Sequence, residues 1–344
     1  MTIRLYTEND RDRWNAYVLG ASAATCYHLT VWKEIIEQSF GHKAYYLISE
    51  DNASRIDGIL PLVHINSRLF GNYVVSLPYF NYGGVCAENP EVGCMLLEEG
   101  AKLAHELRAN HMELRQTIPV KDRLPTKDSK VAMKLTLPGS HNDLWKSFPS
   151  KLRSQIRRPQ KDGMRARIGK LEELDSFYRI FSTNMRDLGT PVYAKTFFRN
   201  ILASFPASSW LCTVYTAEEK PVASAFLIGF RDAIEIPWAS SLRAYNQQSP
   251  NMLLYWSALT FACEKGYKVF DFGRSTRDGG TYKFKEQWGA KPVQLYWQYW
   301  MRNGGPLPEL NPRNPRYQIA IKIWQRLPVS LTKLIGPKIV KNLP

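Results

Sequence analysis

The sequence predicts an α/β (α+β) fold made of two successive domains, each built around a mixed β-sheet. Its 344 residues correspond to two domains at the usual size of roughly 100–200 residues. Hydrophobic residues make up 44% of the chain and aromatic residues 12%, which is enough apolar surface for two cores. This composition excludes disorder for most of the chain. The same order of predicted elements occurs twice, which favours a duplicated domain.

Hydrophobic periodicity defines the elements of the first half. Apolar residues at helical spacing predict a helix over 30–40, ended by Gly41, and a longer helix over 91–109. Apolar runs predict strands over 43–49, 58–66, 72–79, 112–116 and 131–137. The turn sequence Pro138-Gly139-Ser140 is predicted to close a first domain of residues 1–140.

The second half repeats this order. Helical spacing predicts a helix over 171–188, and apolar runs predict strands over 210–216, 222–230, 234–240, 269–272 and 293–300. Between these strands, Ser249 and Pro250 are typical of a helix N-terminus, with the serine as cap. Gly266 fits the end of that helix. These elements predict a second domain of residues 141–304, followed by a tail of residues 305–344.

The net charge of +15 belongs to the second half and the tail. Residues 1–140 contain 15 basic and 16 acidic residues, whereas residues 141–304 contain 24 and 14, and residues 305–344 contain 7 and 1. Such a surplus indicates an anionic partner, such as a phosphorylated substrate, a nucleic acid or an anionic membrane. We therefore expect the anion-binding surface in the second domain and the tail.

Several classes of protein are excluded or disfavoured. The five cysteines form no CxxC pair and the six histidines no HExxH motif, so neither a zinc site nor metal catalysis is predicted. The N-terminal residues lack the apolar segment of a signal peptide, and no run of about 20 apolar residues could span a membrane. We expect a cytoplasmic protein, with a contact on the inner face of the plasma membrane as an open alternative.

The tail is basic and amphipathic. Between residues 315 and 344, isoleucines and leucines alternate with lysines and arginines, and no acidic residue follows Glu309. Two interpretations stand. The segment could lie on an anionic membrane, or it could pack on the second domain with its charges in water. Pro328 and Pro337 divide it into short pieces, which favours the second interpretation.

The densest basic segment covers residues 151–170, with eight cations and one acidic residue. Leu152 and Ile156 are four residues apart and would anchor a helical turn, placing Arg153 and Arg157 together on an adjoining face. Paired guanidinium groups suit phosphate because each can bind two oxygens at once. Phosphate binding is the hypothesis; a solvated basic face is the alternative.

A second cluster lies between Asp271 and Ala290. It begins where a predicted strand ends, which is a common ligand position in α/β folds, and glycines make the following turn pliable. Its four cations could stabilise a developing oxyanion or hold a phosphate: Arg274, Arg277, Lys283 and Lys285. Although the cluster contains the letters DFG, the other protein-kinase motifs are missing.

Two carboxylates and one tryptophan complete the candidate set. Glu235 lies in an apolar predicted strand, where burial would raise its pKa, so it is a candidate proton acceptor together with Asp271. Trp238 lies on the same strand and is a candidate for contact with the substrate. A place in the core is the usual alternative for such a tryptophan.

The sequence also resembles FemAB-type transferases. The similarity is carried by Asp271-Phe-Gly-Arg-Ser, Gly280-Thr-Tyr-Lys-Phe-Lys285 and Gln287-Trp-Gly-Ala290. Supporting segments are Leu77-Pro-Tyr-Phe-Asn-Tyr-Gly-Gly84, Lys151-Leu-Arg-Ser-Gln-Ile-Arg-Arg158 and Ile236-Pro-Trp-Ala-Ser-Ser-Leu-Arg243. It is most similar to the branch that accompanies exosortase and PEP-CTERM exopolysaccharide systems.

This resemblance implies two tandem GNAT-like domains and the transfer of an acyl or aminoacyl group to an amine. It matches Lys285 to the family's phenylalanine–lysine motif, with a role at the oxyanion or at an acceptor phosphate. Tyr282, in the same motif, becomes a candidate substrate contact, and Arg153 and Arg157 become candidate phosphate ligands. The sequence has no convincing coiled-coil arm and no complete pyrophosphate loop of acetyl-CoA-dependent members, so it leaves the donor open.

We therefore expect an N-acyltransferase or aminoacyltransferase acting on a cell-envelope or exopolysaccharide precursor. The acceptor would be a phosphate-bearing small molecule or a lipid-linked sugar. No tightly bound cofactor is expected; the donor would be aminoacyl-tRNA, or alternatively acyl-CoA or acyl carrier protein. A different class of function stays open, a non-catalytic, membrane-associated binding module for envelope assembly. Generic RNA binding is disfavoured because no RRM or KH motif is present.

Overall fold

A computed structural model of the chain describes residues 2–68, 70–121, 124–308 and 315–343. The strands of these residues, in chain order, are β1 (Thr2–Leu5), β2 (Lys43–Glu50), β3 (Ile56–Ser67), β4 (Gly71–Val75), β5 (Cys86–Ala87), β6 (His111–Gln116), β7 (Thr126–Lys127), β8 (Lys130–Thr136), β9 (Arg165–Gly169), β10 (Ser209–Tyr215), β11 (Pro221–Phe230), β12 (Ala233–Ser241), β13 (Val269–Thr276), β14 (Lys291–Gln294) and β15 (Tyr296–Met301). The helices are α1 (Arg11–Gly20), α2 (Val31–Phe40), α3 (Pro90–Glu106), α4 (His141–Ser147), α5 (Ser150–Lys161), α6 (Leu174–Leu188), α7 (Lys195–Ser204), α8 (Pro250–Glu264), α9 (Gly280–Glu286), α10 (Pro315–Arg326) and α11 (Val329–Val340).

The two sheets have the same plan. The first has the strand order β1-β2-β3-β4-β6-β15-β7, with β5 beside β3, and the second has the order β9-β10-β11-β12-β13-β8-β14. In each sheet the fourth and fifth strands are parallel, while the preceding strands pair antiparallel. The sheets are therefore mixed and repeated, which confirms the predicted fold class of two tandem α/β domains.

Each sheet contains one strand that comes from the other half of the sequence. The strand beside the parallel pair is β15 in the first sheet and β8 in the second. The first compact unit accordingly contains the described parts of 1–131, 293–309 and 341–344, and the second contains those of 132–292 and 310–340. These units differ from the expected 1–140 and 141–304 because strand pairing, rather than the turn at residues 138–140, defines each core.

The second unit has helices on both faces of its sheet. On one face, the ring centroids of Phe177 on α6 and Phe226 on β11 are 5.8 Å apart. On the other, Phe261 of α8 lies 5.0 Å from Trp210 of β10. Because Trp210 pairs with Leu227, the neighbour of Phe226, the two aromatic contacts are on opposite faces.

Helix α8 has the predicted length but not the predicted cap. It begins at Pro250 and is followed by Gly266, whose φ of +79° suits a glycine after a helix end. Ser249, however, has a φ of +56°, and its side chain makes no capping hydrogen bond. The expected serine cap is therefore wrong, because the left-handed conformation of Ser249 is not that of an ordinary N-cap.

Helices α10 and α11 of the tail pack on the second unit, whereas the described residues 341–343 belong to the first unit. Helices α10 and α11 both contact α6. A side chain at Gly189, just after α6, would clash with Ile321, and one at Gly336 would meet Val192 at 2.9 Å, so both helices approach the second unit closely. Among the described helices, none combines the length and apolarity needed to cross a bilayer.

The exchanged strand provides a test of the fold. Gln298 of β15 is 1% exposed; its side chain accepts hydrogen bonds from Gln116 (2.8 Å) and the Val120 amide (2.7 Å), and it donates one to the Lys121 carbonyl (2.7 Å). Gln298→Leu removes these bonds, and we expect it to lower the free energy of unfolding by about 2–4 kcal/mol. Urea denaturation would measure this.

The matched control is Gln38→Leu, on the exposed side of α2. It should change the free energy of unfolding by less than about 0.5 kcal/mol. Equal effects of the two substitutions would contradict the place of β15 in the first sheet.

Candidate functional site

The candidate site lies where the two parallel strands of the second unit, β12 and β13, diverge. The register of β12 and β13 pairs residues 233–235 with residues 269–271, and Glu235 with Asp271 is its last pair. Both strands continue, β12 to Ser241 and β13 to Thr276. A register shift against β11 falls on the two residues of β12 after Glu235, Ile236 and Pro237. Such a bulge accommodates proline, which has no N–H for the ladder, and bends the strand.

Beyond the last pair, β13 turns two consecutive carbonyls toward one cation. Gly273 has a φ of +73°, a conformation that favours glycine. Its N–H donates to Asp271 Oδ1 at 2.8 Å, which holds the turn. Lys285 Nζ on α9 donates to the carbonyls of Gly273 (3.1 Å) and Arg274 (2.9 Å). The lysine therefore satisfies two carbonyls of β13 beyond its register with β12.

The Lys285 ammonium is buried, which changes its acidity. The residue is 7% exposed, and burial lowers its pKa to about 8, although the negative charges of Asp271 and Glu235 act in the opposite direction. A charged lysine has three N–H donors and a neutral one has two. With two donors used by the carbonyls, the charged form retains a third for a ligand. Near neutral pH the site thus offers a positive hydrogen-bond donor.

Two carboxylates stand beside this cation. Glu235 and Asp271 are 8% and 4% exposed, and as register partners on parallel strands their side chains share a face of the sheet. Asp271 Oδ2 lies 3.7 Å from Lys134 Nζ. Asp271 is therefore engaged by Gly273 and Lys134, and it holds the turn that positions Lys285.

Sequence reasoning missed two residues of this site. Lys134 comes from β8, more than a hundred residues before Asp271, and the one available signal was a single charge within the apolar run of residues 131–137. Ser275 of β13 is 3% exposed, and its hydroxyl has no hydrogen-bond partner among the described residues. A buried hydroxyl of this kind is a candidate group for contact with a bound substrate.

The other predicted residues differ in their exposure to solvent and in the groups that they contact. The Arg274 side chain is exposed, and its backbone carbonyl, not its guanidinium, contacts Lys285. Lys283 is exposed and Tyr282 half-buried on the same short helix. Trp238 packs edge-on against an aromatic cluster that includes Phe198 at 5.1 Å, on the α6 and α7 face. The ring of Trp238 is thus part of the packing beside the site.

The basic segment forms a separate surface on α5. Leu152 and Ile156 are buried as predicted, and Arg153 and Arg157 line one open depression of about 620 Å³. The Arg157 guanidinium also lies over the Trp145 ring at 5.2 Å, which limits its orientations. The helix continues to Lys161 despite Pro159. This depression could hold a phosphate group.

In the first unit, a buried ion pair lies at the position equivalent to the Lys285 site. There the parallel register ends at Val75 with Glu113, and β4 stops at Val75 rather than at the predicted residue 79. Arg115, 2% exposed, donates to Glu113 Oε1 at 2.6 Å and to the Phe80 carbonyl at 2.7 Å, and it lies 4.4 Å from the Trp297 ring. A buried ion pair thus occupies the place that the Lys285 site has in the second unit.

No metal centre is evident in the described parts of the chain, where no group of three or more His, Cys, Asp or Glu side chains could hold an ion. The described residues of the site offer lysine, carboxylate and hydroxyl groups. A buried ammonium at the parted strands suits stabilisation of negative charge on a reacting carbonyl.

Comparisons with known proteins agree with this fold. Residues 146–286 match the family model of the acetyltransferase (GNAT) domain, and this range lies within the second unit. The structure resembles that of FemX, with 15% identity, a TM-score of 0.66 and coverage of 93% of this chain and 100% of FemX. No curated protein matches the sequence.

Two further structures extend the comparison. L-PGS from Bacillus licheniformis matches at 10% identity and a TM-score of 0.56, with coverage of 95% of this chain and 97% of that one. A tandem GNAT protein from the clavulanic acid biosynthesis pathway matches at 11% identity and a TM-score of 0.53, with coverage of 89% and 99%. At these identities the likeness establishes the fold, which is a tandem GNAT fold.

The acidity of Lys285 can be measured directly. In an NMR titration of ¹³C-labelled lysines, we expect one side chain to titrate near pH 8 and to be absent from the Lys285→Arg spectrum. Asp271→Asn should lower this pKa further, because it removes a negative charge that favours the ammonium. A wild-type spectrum in which every lysine titrates near 10.5 would contradict the described environment.

Proposed function

We propose that the protein is an N-acyltransferase or aminoacyltransferase whose reaction takes place at Lys285 in the second unit. The observation that carries the proposal is the buried ammonium at the parted strands, which retains one N–H donor for a ligand. The match of residues 146–286 to an acetyltransferase domain supports the same reaction class. Transfer to an amine needs stabilisation of an oxyanion, and this site offers it.

The proposed reaction proceeds through a tetrahedral intermediate. The nitrogen of a neutral amine attacks the carbonyl carbon of an ester or thioester, forming a C–N bond and placing negative charge on the carbonyl oxygen. Lys285 donates its third N–H to that oxygen. The C–O or C–S bond then breaks and the leaving group departs with its electron pair. The surplus proton of the amine goes to Glu235, a buried carboxylate whose charge acts on Lys285.

The α5 depression has a binding role in this proposal. Arg153 and Arg157 would hold a phosphate of the donor or of the acceptor, since adjacent guanidinium groups suit phosphate oxygens. Two residues of α9, Tyr282 and Lys283, and Arg274 of β13 would contribute contacts to the substrate. Nucleotide-linked and lipid-linked substrates both contain the required phosphate.

We further propose an acceptor amine on a cell-envelope or exopolysaccharide precursor. The fold similarity to FemX and the motif resemblance to the exosortase-associated branch support this substrate class. The donor classes are aminoacyl-tRNA, acyl-CoA and acyl carrier protein. Incubation with each donor and an amino-sugar acceptor, followed by mass spectrometry, would show which acyl group is transferred. Acceptor binding without transfer from any donor would favour a non-catalytic binding module instead.

Substitution of Lys285 tests its role. With the identified substrate pair, Lys285→Met should lower kcat about 10²–10³-fold, as expected for loss of an oxyanion donor. The matched control is Lys268→Met, which removes an exposed lysine of the same unit. A kcat within twofold of wild type in Lys285→Met, measured beside the control, would refute the assignment.

The α5 arginines should affect binding more than turnover. Arg153→Gln and Arg157→Gln should each raise KM for the phosphate-bearing substrate about tenfold, because a charged hydrogen bond is lost, and change kcat little. Arg199→Gln on α7 removes an exposed arginine of the same unit and serves as control. Steady-state kinetics on the three variants would show whether KM or kcat changes. An unchanged KM in both α5 variants would exclude the depression as a phosphate site.

A further inference from the structure

The two tail helices present two different sides. One side is packed on the second unit: Trp324 is 8% exposed, Thr332 1%, and Gly336 lies against Val192. The other side is open to solvent. This arrangement fixes which residues of the tail are available to a partner.

The open side is unusually apolar. Four large hydrophobic side chains are exposed within sixteen residues: Ile319 at 62%, Ile323 at 57%, Leu331 at 39% and Leu334 at 67%. Residues 319 and 323 are four apart in α10, and residues 331 and 334 are three apart in α11, so each pair lies on one helical face. We call these four residues the apolar ridge.

Cations accompany the apolar ridge. Lys322 and Arg326 are exposed on α10, and Lys333 and Lys338 are exposed on α11. Neither helix contains an aspartate or glutamate. The two helices therefore combine exposed aliphatic side chains with positive charges only. Folded proteins rarely leave such a surface in water without a partner.

We propose that the apolar ridge binds the surface of an anionic lipid bilayer. Aliphatic side chains beside lysines suit the boundary between acyl chains and anionic headgroups, where both find their preferred surroundings. A nucleic acid would use the cations but not the isoleucines and leucines, and the aromatic ring of Trp324, which could stack on a base, is buried. Each helix has twelve residues, about 18 Å, and would lie flat on the membrane.

The test is flotation of the full chain with vesicles. We expect binding to phosphatidylcholine vesicles that contain 30% phosphatidylglycerol, and at least tenfold weaker binding to phosphatidylcholine alone. Ile323→Gln/Leu334→Gln should weaken binding at least tenfold, whereas Leu19→Gln, at 59% exposure on α1 of the first unit, should not. Lys322→Gln/Lys333→Gln removes two of the four named cations and should weaken binding to the anionic vesicles and reduce its salt dependence.

Three results would overturn the proposal. These are equal binding to neutral and anionic vesicles, unchanged vesicle binding by Ile323→Gln/Leu334→Gln, and an absence of vesicle binding together with RNA binding that Lys322→Gln/Lys333→Gln abolishes. Since all substituted residues are exposed, thermal melts should match wild type and confirm folding. The inference is independent of the proposed transferase reaction, and turnover of a water-soluble substrate should be the same in these variants.

Discussion

The second unit depends on one interaction, the contact of the Lys285 ammonium with two backbone carbonyls of β13. Where parallel strands part, carbonyls lose their ladder partners, and a buried carbonyl must find another donor. Here the positive φ of Gly273 turns two carbonyls toward one nitrogen, and Asp271 holds that turn through the Gly273 N–H. Burial of the ammonium is the consequence, and with it come a lowered pKa and a donor aimed at the parted strands.

The duplicated plan shows two solutions to the same constraint. In the first unit, the arginine two residues after the last parallel pair binds the buried carboxylate of that pair and a loop carbonyl, beneath a tryptophan ring. In the second unit, the cation comes from a later helix, and the aspartate of the last pair binds backbone instead. The first arrangement is a packed ion pair, whereas the second leaves a donor for chemistry. This difference is why we place the candidate site in the second unit.

Much of this could be predicted from the sequence, and the exceptions share a physical cause. The repeated elements, and the grouping of Asp271 and Lys285 in one cluster, could be predicted from local patterns, since periodicity reports burial and neighbouring motifs fold together. Lys134 and the exchanged strands β8 and β15 could not be predicted, because alternation shows which face of a strand is buried but not which strand lies beside it. Likewise, the sequence predicted that the Arg274 side chain would take part in the site. In the structure it is the backbone carbonyl of Arg274 that contacts Lys285, and residue type does not reveal such a backbone contact.

The pH dependence of kcat/KM tests the central claim most directly. If the charged Lys285 stabilises the oxyanion, activity must fall as pH rises through about 8, where the ammonium loses its third donor. In Lys285→Arg the guanidinium stays charged, so the account predicts residual activity without this falling limb. The same falling limb in both proteins, or activity that rises through pH 8 because the neutral amine acts as a base, would contradict it.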